Sequence, residues 1–305
     1  MVAATARPAA QTVSRPASLG AHLAAFTQLC KPRVNALIVF TAMIGMLLAS
    51  PGFPPLARLV VASLSIGLVA CAAAAINCLV ERTVDALMLR TRWRPTARGE
   101  VGSLEILSLA MLLGGTGLWL LHAFINDLTM GLTLATFLGY AVIYTVVLKP
   151  ATPMNIVIGG ASGAMPPVLG WTAMTGHLAL EPLALFLIIF LWTPPHFWAL
   201  ACYRRDDYAR AGLPMLPVTH GVEFTCQHIL LYTVMLAAAS LVPVSLGMSG
   251  WFYLAAVSAI DLGFLILALR LCRSYSDELA RQTFRYSIAY LTLLFAALFL
   301  DRLFQ

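Results

Sequence analysis

The sequence predicts an all-α, polytopic membrane protein in which about nine transmembrane helices form one bundle with cytoplasmic capping loops. Of the 305 residues, 60% are hydrophobic and only 10% are charged, whereas a soluble domain carries roughly 25% charged residues. The apolar residues form long blocks without the period-2 alternation of a membrane β-strand. Helices are therefore the elements expected to cross the bilayer.

The first 30 residues differ in composition from the rest of the chain. They are rich in Ala, Pro, Ser and Thr, contain Arg7 and Arg15, and lack the continuous apolar core of a secretory signal. We interpret residues 1–30 as a disordered N-terminal tail. A mitochondrial transit peptide is the weaker alternative, because the segment has no clear amphipathic period. Residues 31–305 then form a single membrane domain.

The apolar blocks divide into segments of the length that crosses the hydrocarbon, ~20 residues. Turn-forming residues separate several of them, for example at Pro51-Gly52, Lys149-Pro150 and Gly176-His177. We expect transmembrane helices over residues 34–50, 57–80, 103–124, 128–148, 154–175, 179–202, 227–247, 250–271 and 284–301.

The distribution of positive charge predicts the orientation. With a cytoplasmic N-terminus and nine spans, only Arg58 and Arg302 of the 19 Lys and Arg residues fall outside cytoplasmic segments and their flanks. This bias satisfies the positive-inside rule and places the 81–102 and 203–226 loops on one membrane face. The net charge of +6 is thereby explained, and without a soluble basic domain no nucleic-acid partner is expected.

A polar ladder lies at the cytoplasmic end of the second expected helix. Asn77, Glu81 and Asp85 are four residues apart, so on a helix they share one face at ~6 Å intervals. Such oxygen ligands suit Mg²⁺ that carries a diphosphate, and Arg90 and Arg94 can bind the phosphates directly. Alternatively, the two carboxylates only pair with arginines of the following loop.

A second polar group lies at the end of the sixth expected helix. His196 follows Pro194-Pro195 within an apolar span, where an ionisable side chain is a functional candidate by default. The alternative is a neutral histidine hydrogen-bonded to a neighbouring helix. Asp206 and Asp207 come shortly afterwards and could form a second carboxylate site that faces the first.

A third segment joins the fourth and fifth expected helices. Lys149 and Asn155 offer a cation and an amide that could reach the same diphosphate. The small residues Gly159, Gly160 and Gly163 are better explained by close helix packing.

Cysteine and the remaining histidines indicate no metal site. The six cysteines include no CxxC pair and most lie in or beside apolar segments, so they are interpreted as free thiols. The five other histidines have no spacing that suggests a metal site. They are His22, His122, His177, His220 and His228.

Together these segments resemble the UbiA-type intramembrane prenyltransferases, and within them the branch that farnesylates protohaem IX. The family pattern Asn-x-x-x-Asp-x-x-x-Asp is matched by Asn77, Glu81 and Asp85, with Glu in place of the first Asp. The resemblance spans about residues 28–300. Its more specific motifs are Lys31-Pro32-Arg33, Met88-x-Arg90-Thr91-x-x-Arg94-Pro95, Thr152-x-x-Asn155, Pro195-His196-Phe197 and Asp207-Tyr208-x-x-Ala211-Gly212-x-Pro214.

The resemblance implies that residues 31–305 are a prenyltransferase domain of a bacterial cytoplasmic (inner) membrane. Its substrates would be farnesyl diphosphate and haem B, and its products haem O and diphosphate, with Mg²⁺ as cofactor. It assigns catalysis to Glu81, Asp85, His196 and Asp207, and metal binding to Asn77, Glu81, Asp85, Asp206 and Asp207. The residues expected to bind the diphosphate are Asn77, Arg90, Arg94, Lys149, Asn155 and Lys31.

Several functional alternatives remain open from the sequence. His196 could contact haem, ligate its iron or orient water. Haem A synthase or the assembly of a terminal oxidase is the implied protein partner. A UbiA-type enzyme acting on an aromatic or quinone precursor is the nearest rival. A transporter is a more distant alternative, because broken helices and buried polar residues also occur in transporters.

Overall fold

The computed structural model describes residues 18–304, and residues 1–17 and Gln305 lie outside the described part. All regular secondary structure in the described range is helical, and a π-helical segment, Gly139–Leu148, directly continues the sixth α-helix. The α-helices are, in chain order, α1 Leu19–Leu29, α2 Pro32–Leu48, α3 Leu56–Val80, α4 Arg82–Leu87, α5 Ser103–Phe124, α6 Asp127–Leu138, α7 Lys149–Ala151, α8 Asn155–Ala164, α9 Pro166–Thr175, α10 Leu180–Tyr203, α11 Arg205–Arg210, α12 Leu216–Thr219, α13 Gly221–Ser240, α14 Val242–Ser245, α15 Trp251–Arg273 and α16 Asp277–Phe304.

The protein is a multi-pass membrane protein, although the expected count of nine spans is not confirmed. Within residues 18–304, seven helices are long and apolar enough to cross a membrane, or eight if α1 and α2, bent by 50°, form one span. The remaining expected span, 154–175, is divided into α8 and α9, of ten residues each. Pro166 and Pro167 open α9 and lack the N–H groups that would continue α8, so each half rises only ~15 Å.

The prediction of a disordered tail over residues 1–30 is wrong for residues 19–29, which form α1, and for residues 1–17 it lies outside the described part of the chain. The hydroxyl of Ser18 caps this helix by accepting from the N–H of Ala21 at 3.2 Å. Ala25 and Leu29 are buried in a cluster with α3 and α5. This packing, which composition does not reveal, stabilises the helix.

Glycine permits the close crossing of α2 and α9. A Cβ at Gly170 would lie 1.9 Å from the carbonyl oxygen of Ala42. A Cβ at Gly45 would lie 2.3 Å from the carbonyl oxygen of Pro167. Neither position has room for a side chain, so this contact requires glycine on both helices.

The glycines expected to serve packing divide into two groups. A Cβ at Gly159 would lie 2.2 Å from Tyr144 Cδ2, and one at Gly160 would lie 3.2 Å from Thr193 Cγ2. At Gly163 an added Cβ would meet nothing within 4 Å. Close packing therefore accounts for Gly159 and Gly160 but not for Gly163.

A buried carboxyl group that the sequence analysis did not single out joins three helices in the second half of the bundle. Asp261 of α15 accepts from the hydroxyl of Tyr290 on α16 at 2.6 Å and lies 2.7 Å from Ser240 Oγ on α13. The Tyr253 hydroxyl donates to the Ser240 carbonyl at 2.7 Å. These bonds connect α13, α15 and α16 where water cannot satisfy polar groups.

Candidate active site

The predicted polar ladder forms where α3 passes into α4. The N–H of Glu81 donates to the Asn77 carbonyl at 3.0 Å, and the N–H of Asp85 donates to the Glu81 carbonyl at 2.7 Å. Helical hydrogen bonding thus continues across the junction and brings the three side chains to one face. All three are buried, and the Asn77 amide donates to Glu81 Oε1 at 2.8 Å.

Three cations from separate parts of the chain contact this ladder. Lys31 Nζ donates to Asn77 Oδ1 at 2.5 Å, and Lys149 Nζ donates to Glu81 Oε1 at 2.5 Å. Arg94 Nη1 lies 2.6 Å from Asp85 Oδ2 and 3.9 Å from Glu81 Oε2. The structure therefore brings together six of the predicted residues, and each carboxylate already has a cationic partner.

Neighbouring charges keep Glu81 and Arg94 ionised despite their burial. Burial alone would raise the pKa of Glu81, but Lys149 and Lys31 nearby, with the hydrogen bonds from Lys149 and Asn77, hold that pKa below its ordinary value. Burial would likewise lower the pKa of Arg94, but its contact with Asp85 raises it. Glu81 and Arg94 are consequently ionised at neutral pH.

The second carboxylate site contains Asp207 but not Asp206. Asp207 is buried at the start of α11, bonded through Oδ1 to Arg210, with Arg204 Nη1 3.8 Å from Oδ2. Asp206 is exposed and lies 3.5 Å from Arg205 Nε. Neighbouring positions on a helix point ~100° apart, so the two carboxylates cannot share one site.

Arg90 lies near the second loop. Its positive charge acts on the hydroxyl of Tyr208, which is buried next to Asp207. Met88 packs in the same cluster as Tyr208 and Met215. Burial raises the pKa of Tyr208, so its hydroxyl stays protonated. Tyr208 was not among the predicted functional residues, although it lies within the Asp207-Tyr208 motif.

Asn155 lies at the first turn of α8 and is fully buried. Its amide donates to the Thr152 carbonyl at 2.6 Å and lies 4.0 Å from Met215 Sδ. Its Oδ1, like Asp207 Oδ2, is buried without a hydrogen-bond partner among residues 18–304. A buried oxygen without a partner is costly, which makes both atoms candidates for contact with a bound ligand.

His196 occupies a separate position on α10, which continues through Pro194 and Pro195. Its Nδ1 lies 2.7 Å from Ser287 Oγ on α16. The imidazole is half-buried and stacks between Trp192, at 4.3 Å between ring centroids, and Phe284, at 4.7 Å. These contacts join His196 to α16 and not to the polar ladder.

The ladder fits a magnesium ion that is shared with a diphosphate. Among residues 18–304 no three His, Cys, Asp or Glu side chains converge as a complete metal site. Mg²⁺ usually binds through one or two carboxylates and takes its other ligands from phosphate and water. The hard oxygens of Glu81 and Asp85 match that preference. All six cysteines are free, as predicted.

An all-helical membrane bundle with this acidic and cationic ladder defines an intramembrane prenyltransferase, and the chain belongs to the UbiA prenyltransferase family. The family model matches residues 38–298. A protoheme IX farnesyltransferase of Dechloromonas aromatica is 76% identical over 96% of this chain and 99% of its own length. One of Cupriavidus taiwanensis is 59% identical over 96% of this chain and 98% of its own.

Solved structures share the fold at low identity. A digeranylgeranylglyceryl phosphate synthase structure superposes with a TM-score of 0.78 at 18% identity, covering 93% of this chain and 99% of that chain. A UbiA homologue of Archaeoglobus fulgidus bound to GPP and Mg²⁺ gives a TM-score of 0.61 at 16% identity, covering 90% and 99%.

Proposed function

We propose that this chain transfers the farnesyl group of farnesyl diphosphate to a vinyl group of haem B and, with addition of water, forms haem O and diphosphate. The observation that carries the proposal is the 76% identity over 96% of the chain to a protoheme IX farnesyltransferase. A match of this length spans both polar loops and the His196 segment.

The ladder and its cations would bind the diphosphate. Glu81 and Asp85 would hold Mg²⁺, which when bound neutralises phosphate charge and assists departure of the diphosphate. Lys31, Lys149 and Arg94 lie within hydrogen-bond distance of the ladder and can exchange these contacts for phosphate oxygens. Their fixed positions stabilise negative charge as the carbon–oxygen bond breaks.

The apolar interior would then control the order of the reaction. Once diphosphate leaves, the allylic carbocation is attacked by the haem vinyl carbon, which leaves a cation beside the pyrrole. Water adds to that cation and loses a proton, which gives the hydroxyethylfarnesyl group. An interior of apolar side chains excludes water from the first cation until the carbon–carbon bond has formed.

The membrane orientation forms part of the proposal. Charge bias supports a cytoplasmic N-terminus in a bacterial inner membrane, with the ladder on the cytoplasmic side. Haem O is then available in the membrane to haem A synthase or to a terminal oxidase under assembly. In a cysteine-free background, Ala97→Cys and Ala209→Cys should be labelled from the cytoplasmic side and Gly52→Cys from the other. Labelling of all three from one side would contradict this orientation.

The substrate assignment is tested with purified enzyme. Farnesyl diphosphate and Mg²⁺ are supplied with equimolar haem B and 4-hydroxybenzoate, and prenylated products are identified by mass spectrometry. We expect prenylated haem alone. Prenylated 4-hydroxybenzoate without haem O would assign the chain to the branch that modifies aromatic acids.

A further inference from the structure

Ser287 on α16 is contacted twice by α10. Its hydroxyl lies 2.7 Å from Nδ1 of His196, and its carbonyl accepts from the indole N–H of Trp192 at 2.7 Å. The same hydroxyl lies 2.7 Å from the carbonyl oxygen of Phe284 on its own helix. Ser287 is fully buried, so these protein groups are its available partners.

The number of protons determines the direction of these bonds. A hydroxyl carries one proton, and a carbonyl oxygen can only accept. If the Ser287 proton were directed at His196, two oxygen lone pairs would face each other at 2.7 Å between Ser287 and Phe284. The hydroxyl therefore donates to Phe284 and accepts from His196, which must carry its proton on Nδ1.

The surrounding rings hold the imidazole in this orientation. Trp192 stacks on one face with planes 17° apart, and Phe284 stacks on the other with planes 26° apart. With Nδ1 directed at α16, Nε2 lies on the opposite edge of the ring and retains its lone pair. Within residues 18–304 the polar partner of the imidazole is Ser287, bound through Nδ1.

We propose that Ser287 is a positioning residue that holds His196 as the Nδ1–H tautomer, so that the Nε2 lone pair is presented to the prenyl acceptor. The proposal rests on the proposed function for the identity of that acceptor, haem B. A lone pair so placed can bind the haem iron or accept a proton from the water that completes the product. A second group that sets the tautomer of a functional histidine is a common arrangement.

The tautomer is tested without any activity measurement. The full-length wild-type protein, labelled with ¹⁵N-histidine and reconstituted in lipid at pH 7, is compared by solid-state NMR with His196→Gln to assign the His196 signals. We expect a protonated Nδ1 and an unprotonated Nε2. A proton on Nε2, alone or on both nitrogens, would overturn the proposal.

The positioning role is tested with Ser287→Ala. The matched control is Ser258→Ala on α15, because the exposed Ser258 hydroxyl donates to a carbonyl of its own helix, that of Leu254 at 2.7 Å. We expect kcat for haem O formation to fall about tenfold in Ser287→Ala, the effect of losing one buried hydrogen bond that selects the tautomer. The KM for farnesyl diphosphate should not change, because the ladder is elsewhere, and the control should match wild type.

Wild-type kcat in a folded Ser287→Ala protein would overturn the positioning role. If Ser287→Ala does not fold, the wild-type NMR result decides the proposal. Failure of the proposed function has a different signature, because wild-type enzyme would then form no haem O, whatever the tautomer of His196.

Discussion

Replacement of Asp85 by Asn tests the ladder most sharply, because it removes one negative charge and keeps the shape of the side chain. Asp85 is buried, and its Oδ2 lies 2.6 Å from Arg94 Nη1. The Asn carbonyl can still accept from Arg94, and Glu81 remains 3.9 Å from the same nitrogen. We therefore expect the free energy of unfolding to fall by only about 1–3 kcal/mol, within the range for a weakened buried hydrogen bond.

The effect on catalysis should be much larger. The substitution removes one of the two carboxylates proposed to hold Mg²⁺, and the one that remains, Glu81, is already paired with Lys149. Loss of one preorganised electrostatic group typically lowers kcat by about 10²–10³-fold, or about 2.7–4 kcal/mol. We expect at least a 100-fold fall in haem O formation by purified Asp85→Asn enzyme, measured across a range of Mg²⁺ concentrations.

Asp206→Asn is the matched control, because Asp206 is exposed and its charge partner is Arg205 at 3.5 Å. This variant should keep the wild-type rate. Thermal unfolding in detergent separates the two roles of Asp85. A folded Asp85→Asn enzyme with a near-normal rate would refute the ladder as the metal site, and a variant that does not fold would assign Asp85 to the fold.

Three further predictions concern stability. Gly170→Ala should lower the free energy of unfolding by about 1–3 kcal/mol, because its Cβ would meet the backbone of α2. The control Gly163→Ala should be tolerated, and equal melting temperatures for the two variants would contradict the close crossing of α2 and α9. Asp261→Asn should lower the free energy of unfolding by less than about 1 kcal/mol, because Asn can still accept from Tyr290 and bond Ser240. Asp261→Leu can do neither and should lower it by about 1–3 kcal/mol. The pKa of Glu81 is lower in the folded protein, so its contribution to stability is complete above the unfolded pKa and is lost as pH falls through the folded pKa. Below about pH 4.5, the free energy of unfolding should therefore depend less steeply on pH in Glu81→Gln than in wild type. An unchanged pH dependence would contradict the lowered pKa of Glu81.

The long helices and the ladder could be predicted because both depend on local patterns. Apolar length alone predicts 103–124, which matches Ser103–Phe124 of α5. A spacing of four places Asn77, Glu81 and Asp85 on one face whether the helix is continuous or, as here, passes from α3 into α4. The start of α16 at Asp277 was missed, because its charged first turns form helix without an apolar signal.

Contacts between distant segments could not be predicted in the same way. Ser287 follows His196 by 91 residues, and nothing in the apolar pattern of α16 distinguishes it from other small residues. Asp261 depends on partners from α13 and α16, and Tyr208 on Arg90 in the other loop. Such partners are set by the crossing of helices, which one sequence does not reveal.

The haem content of bacterial cells that lack haem O and express this chain tests the proposed function most directly. Extracted haems are identified by mass spectrometry, with cells that express Asp85→Asn at equal membrane abundance as the control. We expect a haem heavier than haem B by one farnesyl group and one hydroxyl group, present with wild type and absent with Asp85→Asn. Haem B alone in cells with folded wild-type protein, or equal haem O with both, would contradict it.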